Sequence, residues 1–386
     1  MKENKKSIMF IAGDPSGDEH ASWVIARLKT MLPEVEFFGI GGYCMQSKGL
    51  KALMPFDSFN VMGIGEVLKH LPFFLKAKYF LKKQLKSKKP LALVCIDYPG
   101  LNIPLMKEAY KLKIPVVWYI VPQVWAWKKK RAEILGKYAS YIATILPFEK
   151  KYFDRYSSCV EFVGHPLVEQ LEREGIKTEK KIGIKNKDKI NLALVPGSRK
   201  QEIENLLCIM IDSAIIIKKQ IKNVFVTISK FKGLPDDIFI KNAEKYLKTF
   251  SDSLEICDKP LFDILNNSDC AIVTSGTATL QTALMGVPMV IAYKTSWITY
   301  NFFKRMIKIP YIGLPNIIAG EKIVPECIQN NANSEKIATE ITKFIYDEKY
   351  FTETSEKLLS IRKSLSSKYP SQEVSSAISI IAMREL

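Results

Sequence analysis

Residues 7–20 read SIMFIAGDPSGDEH, and they give the first indication of the fold. A short apolar run, typical of a buried strand, passes through a turn into a segment with the apolar spacing of a helix. The spacing of Gly13 and Gly17 is not the G-x-G-x-x-G fingerprint of a dinucleotide site, and the acidic residues of the turn would repel a phosphate. The turn is therefore either a well-capped connection or a set of acceptors for the hydroxyls of a sugar.

The same alternation of strand and helix continues along the chain. Apolar strand-like runs lie at 7–12, 35–40, 91–96, 115–120, 140–145 and 159–163, and after a charged stretch they return at 190–195, 223–228, 252–256, 269–273 and 288–292. Alternation of this kind predicts parallel sheets wrapped by helices. We therefore expect an α/β protein with two doubly wound, Rossmann-like domains whose strand ends face a shared cleft.

The breaks in this pattern predict the domain boundaries. The first domain is expected over residues 1–180 and the second over residues 185–345. Residues 346–386 have helical patterns, and we expect them to pack back on the first domain or on a partner subunit. Ligands of doubly wound sheets bind at the carboxyl ends of the strands, so the motifs at those ends are the candidates for function.

Composition narrows the classes of protein and of partner. The 386 residues are 47% hydrophobic, enough for two buried cores, and 57 lysines and arginines against 40 acids give a formal net charge of +17. That charge favours an acidic partner, which is nucleic acid, an anionic membrane or a phosphorylated substrate. The seven cysteines include no C-x-x-C pair and histidine occurs three times, so we expect reduced thiols and no metal site.

Targeting and membrane contact are predicted from apolar runs. The N-terminal apolar run is too short for an export signal, and no run approaches the roughly 18 residues of a spanning helix, so we expect a cytoplasmic protein that is soluble or peripheral. Residues 61–89 favour a peripheral contact, because their last eight lysines follow the final acid, Glu66, and alternate with apolar residues. Those apolar residues are Phe73, Phe74, Leu75, Phe80 and Leu81. A helix that covers the sheet with a solvated lysine face explains the pattern equally well.

The segment LVPGSRKQEIENLL, residues 194–207, reads as a strand, a tight turn and a helix. Arg199 lies just inside the helix start, where backbone N–H groups and the helix dipole already favour an anion. A guanidinium beside them suits a diphosphate. The alternative is an arginine solvated beside an ordinary turn, and we favour the diphosphate because a proline and a glycine also shape the turn.

A second strand-to-helix turn lies in DCAIVTSGTATLQTALMGVPMVIAY, residues 269–293. Ser275, Gly276 and Thr277 open its helix, and Gln281 follows about one turn later, within reach of ribose hydroxyls. The small hydroxyl residues are otherwise simple helix caps. Two anion-ready helix starts in one domain indicate a nucleotide diphosphate, while the missing Walker pattern excludes a P-loop ATPase.

In the first domain, CIDYPGLNIPL, residues 95–105, ends a buried strand with Asp97. A partly desolvated carboxylate at a strand end has a raised pKa that suits a general base, and the alternative is a cap for the next helix. Trp125 and Trp127 follow in YIVPQVWAWKKKR, residues 119–131. They are candidates for packing against a sugar or an acyl chain, although core packing is the commoner fate of tryptophan.

Taken in order, the motifs of this chain resemble those of the lipid-A-disaccharide synthase family. They are AGDPSGD, GIGG, MGIGEVL, IDYPGLN, PQVWAWKKKR, LPFEK, FVGHPL, PGSR, SGTATL and PYIGLPNIIAG, between about residue 7 and residue 330. The resemblance implies the B-type glycosyltransferase fold, with UDP in the C-terminal domain. It also implies the reaction: the 2,3-diacylglucosamine unit of UDP-2,3-diacylglucosamine joins 2,3-diacylglucosamine 1-phosphate (lipid X) in a β-1,6 bond during lipid A biosynthesis.

The resemblance and the chemistry together assign roles. An α-linked donor that gives a β product requires inversion, with a base on the acceptor hydroxyl and stabilisation of leaving UDP. The predicted base is Asp97, the predicted donor residues are Ser198, Arg199, Ser275, Gly276, Thr277, Gln281 and Asn316, and the predicted acceptor residues are Ser16, Gly17 and Asp18. Two helix dipoles and an arginine offset the diphosphate charge, so no cofactor is expected and a divalent metal is not expected to be essential.

Two positions depart from the family pattern, which usually has Glu where this chain has Asp14 and Gln281. Asp14 reaches one methylene less far towards the acceptor, and Gln281 keeps an acceptor oxygen but loses the charge beside the ribose. The resemblance also implies a homodimer that exchanges C-terminal segments. We expect the protein at the inner face of the cytoplasmic membrane, on an anionic surface.

Two other functions remain open. A UDP-sugar epimerase shares the two-domain architecture, and His165 in FVGHPL leaves that alternative in place. A nucleic-acid-binding module would explain the positive charge, but the basic residues are spread along the chain without a reader motif, so we expect no nucleic-acid partner.

Overall fold

A computed structural model of the chain describes residues 6–59, 70–157, 159–231, 233–240, 243, 253–296, 300 and 309–385. The chain divides into two compact units. The first consists of Met1–Gln170 with Leu365–Leu386, and the second of Leu171–Ser364. Compared with the expected boundaries, residues 171–180 and 346–364 belong to the second unit, and only the last segment of the tail belongs to the first.

The first unit contains a seven-stranded sheet in which every pair of neighbours is parallel. Its strands are β1 (Ser7–Ala12), β2 (Glu36–Ile40), β3 (Leu50–Ala52), β4 (Ala92–Ile96), β5 (Val116–Tyr119), β6 (Tyr141–Thr144) and β7 (Val160–Phe162), in the order β3-β2-β1-β4-β5-β6-β7. Helices α1 (Pro15–Met31), α2 (Tyr43–Ser47), α3 (Leu71–Lys88), α4 (Pro99–Lys111), α5 (Lys130–Tyr138) and α6 (Pro166–Arg173) alternate with these strands.

The second unit repeats this plan with a six-stranded parallel sheet. Its strands are β8 (Ile190–Val195), β9 (Val224–Ser229), β10 (Leu254–Cys257), β11 (Cys270–Thr274), β12 (Met289–Tyr293) and β13 (Glu326–Ile328), in the order β10-β9-β8-β11-β12-β13. Its helices are α7 (Lys200–Gln220), α8 (Leu261–Asn266), α9 (Thr277–Leu284), α10 (Leu314–Ala319), α11 (Ser334–Tyr346) and α12 (Glu348–Leu365). The last described helix, α13 (Pro370–Met383), packs on α1 of the first unit.

The central strands form because both of their faces are covered. Every residue of β1 is buried, with Met9 and Ile11 in the core on one face and Ile8 and Phe10 in the core on the other. Strands β4 and β11 are buried at every residue as well. Near-continuous apolar strands of this kind are typical of parallel sheets between helical layers. The predicted α/β fold with two doubly wound sheets is confirmed.

The tail is held on the first unit by polar contacts as well as by apolar packing. Arg27 Nε on α1 donates to Ser371 Oγ at 2.8 Å, and the backbone N–H of Ser371 donates to Glu169 Oε2 at 2.9 Å. Both contacts lie at the start of α13. Within the part of the chain that the structure describes, no helix combines the length and the apolar character needed to cross a membrane.

Candidate functional site

In the first sheet, the order of the strands reverses between β1 and β4, which are parallel neighbours with Ala12 opposite Ile96. Strands on either side of such a switch point send their following loops to opposite faces, which opens a crevice at their carboxyl ends. Asp14 follows β1 by two residues and Asp97 follows β4 by one. The topology therefore brings these two carboxylates together, although they are far apart in the sequence.

The glycine of the first turn is explained by a tyrosine from the neighbouring loop. The ring of Tyr98 lies over Gly13, so that a Cβ at Gly13 would approach the ring to 2.3 Å. Tyr98 Oη donates to the carbonyl of Phe59 at 2.8 Å, which fixes the ring in place. Asp97 and Tyr98 have φ angles of 39° and 45°, in the left-handed region that non-glycine residues seldom adopt.

Asn102 on α4 holds this turn against both central strands. Its Nδ2 donates to the carbonyls of Ile11 at 3.3 Å, Ile96 at 3.2 Å and Asp97 at 2.8 Å. The side chain is fully buried. A single amide thus joins the ends of β1 and β4 and stabilises the strained conformation of Asp97.

The electrostatics at this sheet edge bring the pKa of Asp97 close to neutral pH. Burial, and then the charge of Asp14, raise the pKa of Asp97 to about 7, against the lowering effects of the Tyr98 backbone N–H and of Arg131. Burial also raises the pKa of Asp14, whose Oδ1 accepts from the backbone N–H of Gly17 at 3.2 Å as the cap of α1. A carboxyl with a pKa near the working pH is suited to proton transfer.

A third acid, Glu149, lies nearby and was missed in the sequence. It is buried, and its carboxylate accepts from Trp125 Nε1 at 3.1 Å and from the backbone N–H groups of Ile145 at 3.2 Å and Leu146 at 3.1 Å. Burial raises the pKa of Glu149 to about 7, and the charge of Asp97 adds to the increase. Its position in the LPFEK motif was the available signal, since two of its partners lie three and four residues before it and only Trp125 comes from another loop.

The two tryptophans have different surroundings. Trp125 is 6% exposed and packs edge-on against Phe148 at 5.5 Å, so it belongs to the core. Trp127 is half-buried, with Lys128 Nζ 4.4 Å and the Arg131 guanidinium 5.3 Å from its ring centroid. Of the pair, only Trp127 presents a ring to a ligand.

The structure changes the interpretation of the predicted acceptor residues. Ser16 is exposed at the start of α1, and the backbone N–H of Gly17 is taken by Asp14. Asp18 is 4% exposed, and its carboxylate accepts three backbone N–H groups from the loop that begins α2. The donors are Gly42 at 2.6 Å, Cys44 at 3.0 Å and Met45 at 3.1 Å. Asp18 therefore anchors a loop inside the unit, because its carboxylate turns inward, and a direct contact with the sugar stays a prediction.

In the second sheet, the corresponding switch point lies between β8 and β11. Gly197 has a φ of 113° in the turn after β8, and Ser198 and Arg199 are exposed at the start of α7. Glu202, one turn into α7, accepts from the Ser198 backbone N–H at 3.2 Å and from Arg199 Nη1 at 3.1 Å. The predicted anion donors are thus present and open to solvent, and a carboxylate of the same chain engages two of them.

The turn after β11 supplies the second helix start of this edge. Gly276 and Thr277 are exposed, and no atom lies within 4 Å of the place where a Cβ of Gly276 would be. Ser275 Oγ donates to the carbonyl of Ile312 at 3.0 Å, which orients the turn. Gln281 is half-buried one turn into α9. An open backbone at a helix start admits the close approach of an anion.

Asn316, one of the predicted donor residues, is hydrogen-bonded inside the second unit. It is fully buried, its Nδ2 donates to Val324 O and Glu326 Oε1 at 2.9 Å each, and its Oδ1 accepts from the N–H groups of Ile323 at 2.8 Å and Val324 at 3.0 Å. All of its polar atoms are therefore used within the second unit. Asn316 supports the turn that follows α10, and a direct contact with the donor stays a prediction.

The structure also changes the interpretation of the predicted basic segment, residues 61–89. The part before residue 70 lies outside the described residues. On α3, Phe73, Phe74 and Phe80 pack against the core and Leu81 is buried, whereas Leu75 is 51% exposed. Four of the five apolar residues predicted to meet a membrane thus cover the sheet instead, because the helix turns them inward.

In the described ranges, no three His, Cys, Asp or Glu side chains come together as a group that would hold a metal ion.

The architecture is shared with solved structures of two kinds. The calicheamicin glycosyltransferase CalG4 aligns with a TM-score of 0.62 at 12% identity, over 100% of this chain and 99% of its own. The UDP-GlcNAc 2-epimerase from Neisseria meningitidis aligns with a TM-score of 0.56 at 12% identity, over 98% of each chain. At such identities the likeness defines the fold alone. The protein has the two-domain fold that B-type glycosyltransferases and these epimerases share.

Sequence similarity separates the two kinds. A sequence model of the family described as lipid-A-disaccharide synthetase matches residues 8–380. The lipid-A-disaccharide synthase of Geobacter sulfurreducens is 34% identical over 95% of this chain and 94% of its own length, and that of Syntrophus aciditrophicus is 36% identical over 88% of each. The chain belongs to the lipid-A-disaccharide synthase family and is a glycosyltransferase of lipid A biosynthesis. The family predicted from the motifs is confirmed, and the epimerase alternative is not favoured.

Proposed function

We propose that the protein transfers the 2,3-diacylglucosamine unit of UDP-2,3-diacylglucosamine to the 6-hydroxyl of 2,3-diacylglucosamine 1-phosphate, with inversion and release of UDP. The observation that carries this proposal is the strained, half-buried Asp97, whose pKa is about 7, at the switch point of the first sheet. A base at that position matches the chemistry that the family names imply.

The proposed step is a single displacement. The acceptor O6 attacks the anomeric carbon and its proton passes to the Asp97 carboxylate, while the bond from that carbon to the UDP oxygen breaks and its electron pair leaves with UDP. Asp97 must be ionised to accept the proton, so turnover should rise with pH through about 7. Burial and the charge of Asp14 raise the pKa of Asp97, and the Tyr98 backbone N–H and Arg131 oppose them.

On the donor side, we assign the diphosphate to the exposed turn after β8 and to the start of α9. Arg199 supplies a guanidinium, Ser198 a backbone N–H, and residues 275–277 the helix start. Gln281 is assigned to the ribose hydroxyls. These groups offset the charge of leaving UDP without a divalent cation, so transfer should persist in excess chelator, and its loss would refute a metal-independent reaction.

On the acceptor side, the candidates are Ser16, which is exposed, and Trp127, which is half-buried. Ser16 offers a hydroxyl at the start of α1, and Trp127 offers a ring face beside two cations. Asp18 acts indirectly by fixing the loop at the start of α2.

We also propose that the protein works at the inner face of the cytoplasmic membrane through an exposed line on α3. Leu71, Leu75 and Tyr79 are 47%, 51% and 72% exposed and follow one another at intervals of four residues, so they lie on one face of the helix. Exposed lysines of the same helix, Lys76, Lys83 and Lys86, flank this line. Apolar contact and attraction to anionic lipid act together in such a helix.

Flotation with anionic vesicles tests the membrane contact. Binding at low salt that falls in Leu71→Ser/Leu75→Ser is expected, while Tyr110→Ser, which changes a residue 54% exposed on α4, should bind like wild type. An absence of low-salt binding by wild type would refute the contact.

A homodimer is the second assembly that we propose, because Met31, Ile380 and Met383 leave apolar surface exposed on α1 and α13. Sedimentation that gives one monomeric species at all concentrations would refute it.

The reaction is tested by supplying UDP-2,3-diacylglucosamine with and without the acceptor. UDP release that depends on the acceptor, together with a β-1,6 disaccharide product, is the expected result. An epimerised sugar formed without the acceptor would instead support an epimerase.

A further inference from the structure

A small pocket opens on the first unit between the start of α5 and the segment after β6. Its volume is about 240 Å³, enough for a compact ligand group. The residues that line it are Val124, Lys129, Ala132, Lys151, Tyr152 and Arg155, and we refer to it as the basic pocket. None of these residues has a role in the reaction described above.

The charged side chains that line the basic pocket are all cations. Lys129, Lys151 and Arg155 converge on it, and its lining includes no acidic side chain. Over the residues that the structure describes, no carboxylate forms an ion pair with any of the three. Like charges repel one another, so a cluster without a counter-charge is unfavourable until an anion enters it.

Aromatic contacts and apolar residues shape the pocket around these cations. Lys151 Nζ lies 5.4 Å from the ring centroid of Tyr152, and the Arg155 guanidinium lies 4.7 Å from that of Tyr156. Val124 and Ala132, which are buried, contribute the apolar part of the lining. An arginine, two lysines and a partly apolar wall fit a phosphate monoester, because the guanidinium offers paired N–H donors and the ammonium groups offer point charges.

The basic pocket lies beside the proposed reaction centre. Lys129 and Ala132 flank the start of α5, and Arg131 of the same helix start is the cation that lowers the pKa of Asp97. Strands β4, β5 and β6 are neighbours, and the pocket is built on the segments that follow β5 and β6. Adjacent strands are about 4.8 Å apart, so the carboxyl ends of β4 and β6 are separated by roughly 10 Å.

We propose that the basic pocket binds the phosphate monoester of the acceptor sugar. The acceptor carries its reacting 6-hydroxyl on the carbon attached to C5 and its 1-phosphate on C1, and C5 and C1 both neighbour the ring oxygen. A hydroxyl at Asp97 therefore leaves the phosphate no more than one sugar ring away, within reach of long basic side chains on the β5 and β6 side. This inference rests on the proposed function. It identifies Lys129, Lys151 and Arg155 as the residues that distinguish a phosphorylated acceptor from its unphosphorylated analogue.

The test compares two acceptors in Lys151→Ala/Arg155→Ala. For 2,3-diacylglucosamine 1-phosphate, the KM should rise about 10- to 100-fold, because two charge-assisted contacts are lost. For 2,3-diacylglucosamine, which has no phosphate, KM should change less than twofold, and KM for the UDP-sugar should not change. Lys130→Ala is the matched control, since Lys130 is an exposed cation of α5 outside the pocket lining. An equal change for both acceptors, or none for either, would overturn the proposal.

A second measurement separates the acceptor from other sources of phosphate. If the variant loses binding to vesicles that contain an anionic phospholipid but keeps its KM for a dispersed, short-chain phosphorylated acceptor, then the pocket holds a lipid headgroup and the proposal is wrong. If wild type releases no UDP with either acceptor, the proposed function fails instead. Calorimetric titration with the phosphorylated acceptor alone then still decides the pocket: at least tenfold weaker binding by the variant supports it, and equal binding overturns it.

Discussion

The two sheets have the same strand order around their switch points, and their carboxyl edges have opposite chemistry. At the first edge, Asp14, Asp97 and Glu149 are withdrawn from solvent, and burial raises the pKa of each. At the second edge, Ser198 and Arg199 are exposed and the backbone of Gly276 is open. The same topology thus provides a position for a ligand group in both units, and the side chains decide whether that position suits a proton or an anion.

The difference extends to the way in which each turn is stabilised. The first is closed, because Tyr98 covers Gly13 and Asn102 fixes the strained Asp97. The second is held by Glu202, a charged group near the surface whose contacts with the turn are replaceable by those of a ligand. We therefore expect rigid, buried chemistry at the first edge and ligand-dependent contacts at the second.

The largest effects are expected when one residue of each edge is replaced and both turnover and UDP binding are measured in each variant. Asp97→Asn keeps the shape of the side chain and suits the left-handed backbone, but it removes the base, so kcat should fall about 10³-fold while the Kd of UDP stays within twofold. Arg199→Ala should raise the Kd of UDP about 10- to 100-fold. Steady-state kinetics and calorimetric titration with UDP measure both.

Lys200→Ala is the control for the arginine, because Lys200 is an equally exposed neighbour that lies 3.8 Å from Glu204. It should bind UDP like wild type. Unchanged turnover in Asp97→Asn would reject the base, and a similar loss of UDP affinity in all three variants would mean that the two edges do not differ as described.

The next effect concerns the buried supports, one in each unit. Asp18→Ala leaves the N–H groups of Gly42, Cys44 and Met45 without their acceptor. Asn316→Ala removes the side-chain acceptor of the Ile323 and Val324 N–H groups and the side-chain donor to the Val324 carbonyl. Each change should lower the free energy of unfolding by about 2–3 kcal/mol, because buried polar groups lose their partners. Urea denaturation measures this.

Ser16→Ala, at an exposed position of the same turn as Asp18, should change the free energy of unfolding by less than about 0.5 kcal/mol. If Asp18→Ala were as stable as wild type but had a higher KM for the acceptor, the direct sugar contact first expected for Asp18 would be supported.

The sequence predicted the strands and the loops that follow them, because buried parallel strands are continuous apolar runs and their ends are marked by glycine and proline. That placed Asp97 and Arg199 correctly at strand ends. The sequence did not show which way a side chain points within a turn. The partners of Asp18 lie 24 to 27 residues away, and those of Asn316 lie beyond the end of its helix. Glu149 and Glu202 were missed although most of their partners are local, since the sequence does not show that a carboxylate turns back to accept from N–H groups three or four residues before it.

A smaller effect tests how the charges at the first edge set the pKa of Asp97. Asp97 is faced by the charges of Asp14, Glu149 and Arg131 and by the backbone N–H of Tyr98. Asp14→Asn removes one repelling charge and keeps the helix cap, since Asn caps as well as Asp. The pKa of Asp97 should fall, so the acidic limb of kcat/KM against pH should move to lower pH by about half a unit to one unit.

Asp14→Glu, which has the residue usual in the family, keeps the charge and should leave that limb in place. A limb that moves equally in both variants would show that Asp14 acts through the cap of α1 and not through its charge. If the acidic limb moves in neither variant, Asp14 has no effect on the pKa of the catalytic base.

The smallest effect belongs to the second edge and tests whether its contacts are replaceable. Glu202 accepts from Ser198 and Arg199, the donors that we assign to the diphosphate. Glu202→Gln removes the competing charge, so the Kd of UDP should fall about two- to fivefold, a small change because Arg199 is 59% exposed and its ion pair is screened. Glu204→Gln, on the same helix beside Lys200, should leave the Kd unchanged.

The gain in UDP affinity of Glu202→Gln should disappear in high salt, which screens exposed charges. A Kd that rises tenfold in Glu202→Gln would mean that the carboxylate positions the arginine for UDP, so that both edges would be held by fixed internal contacts.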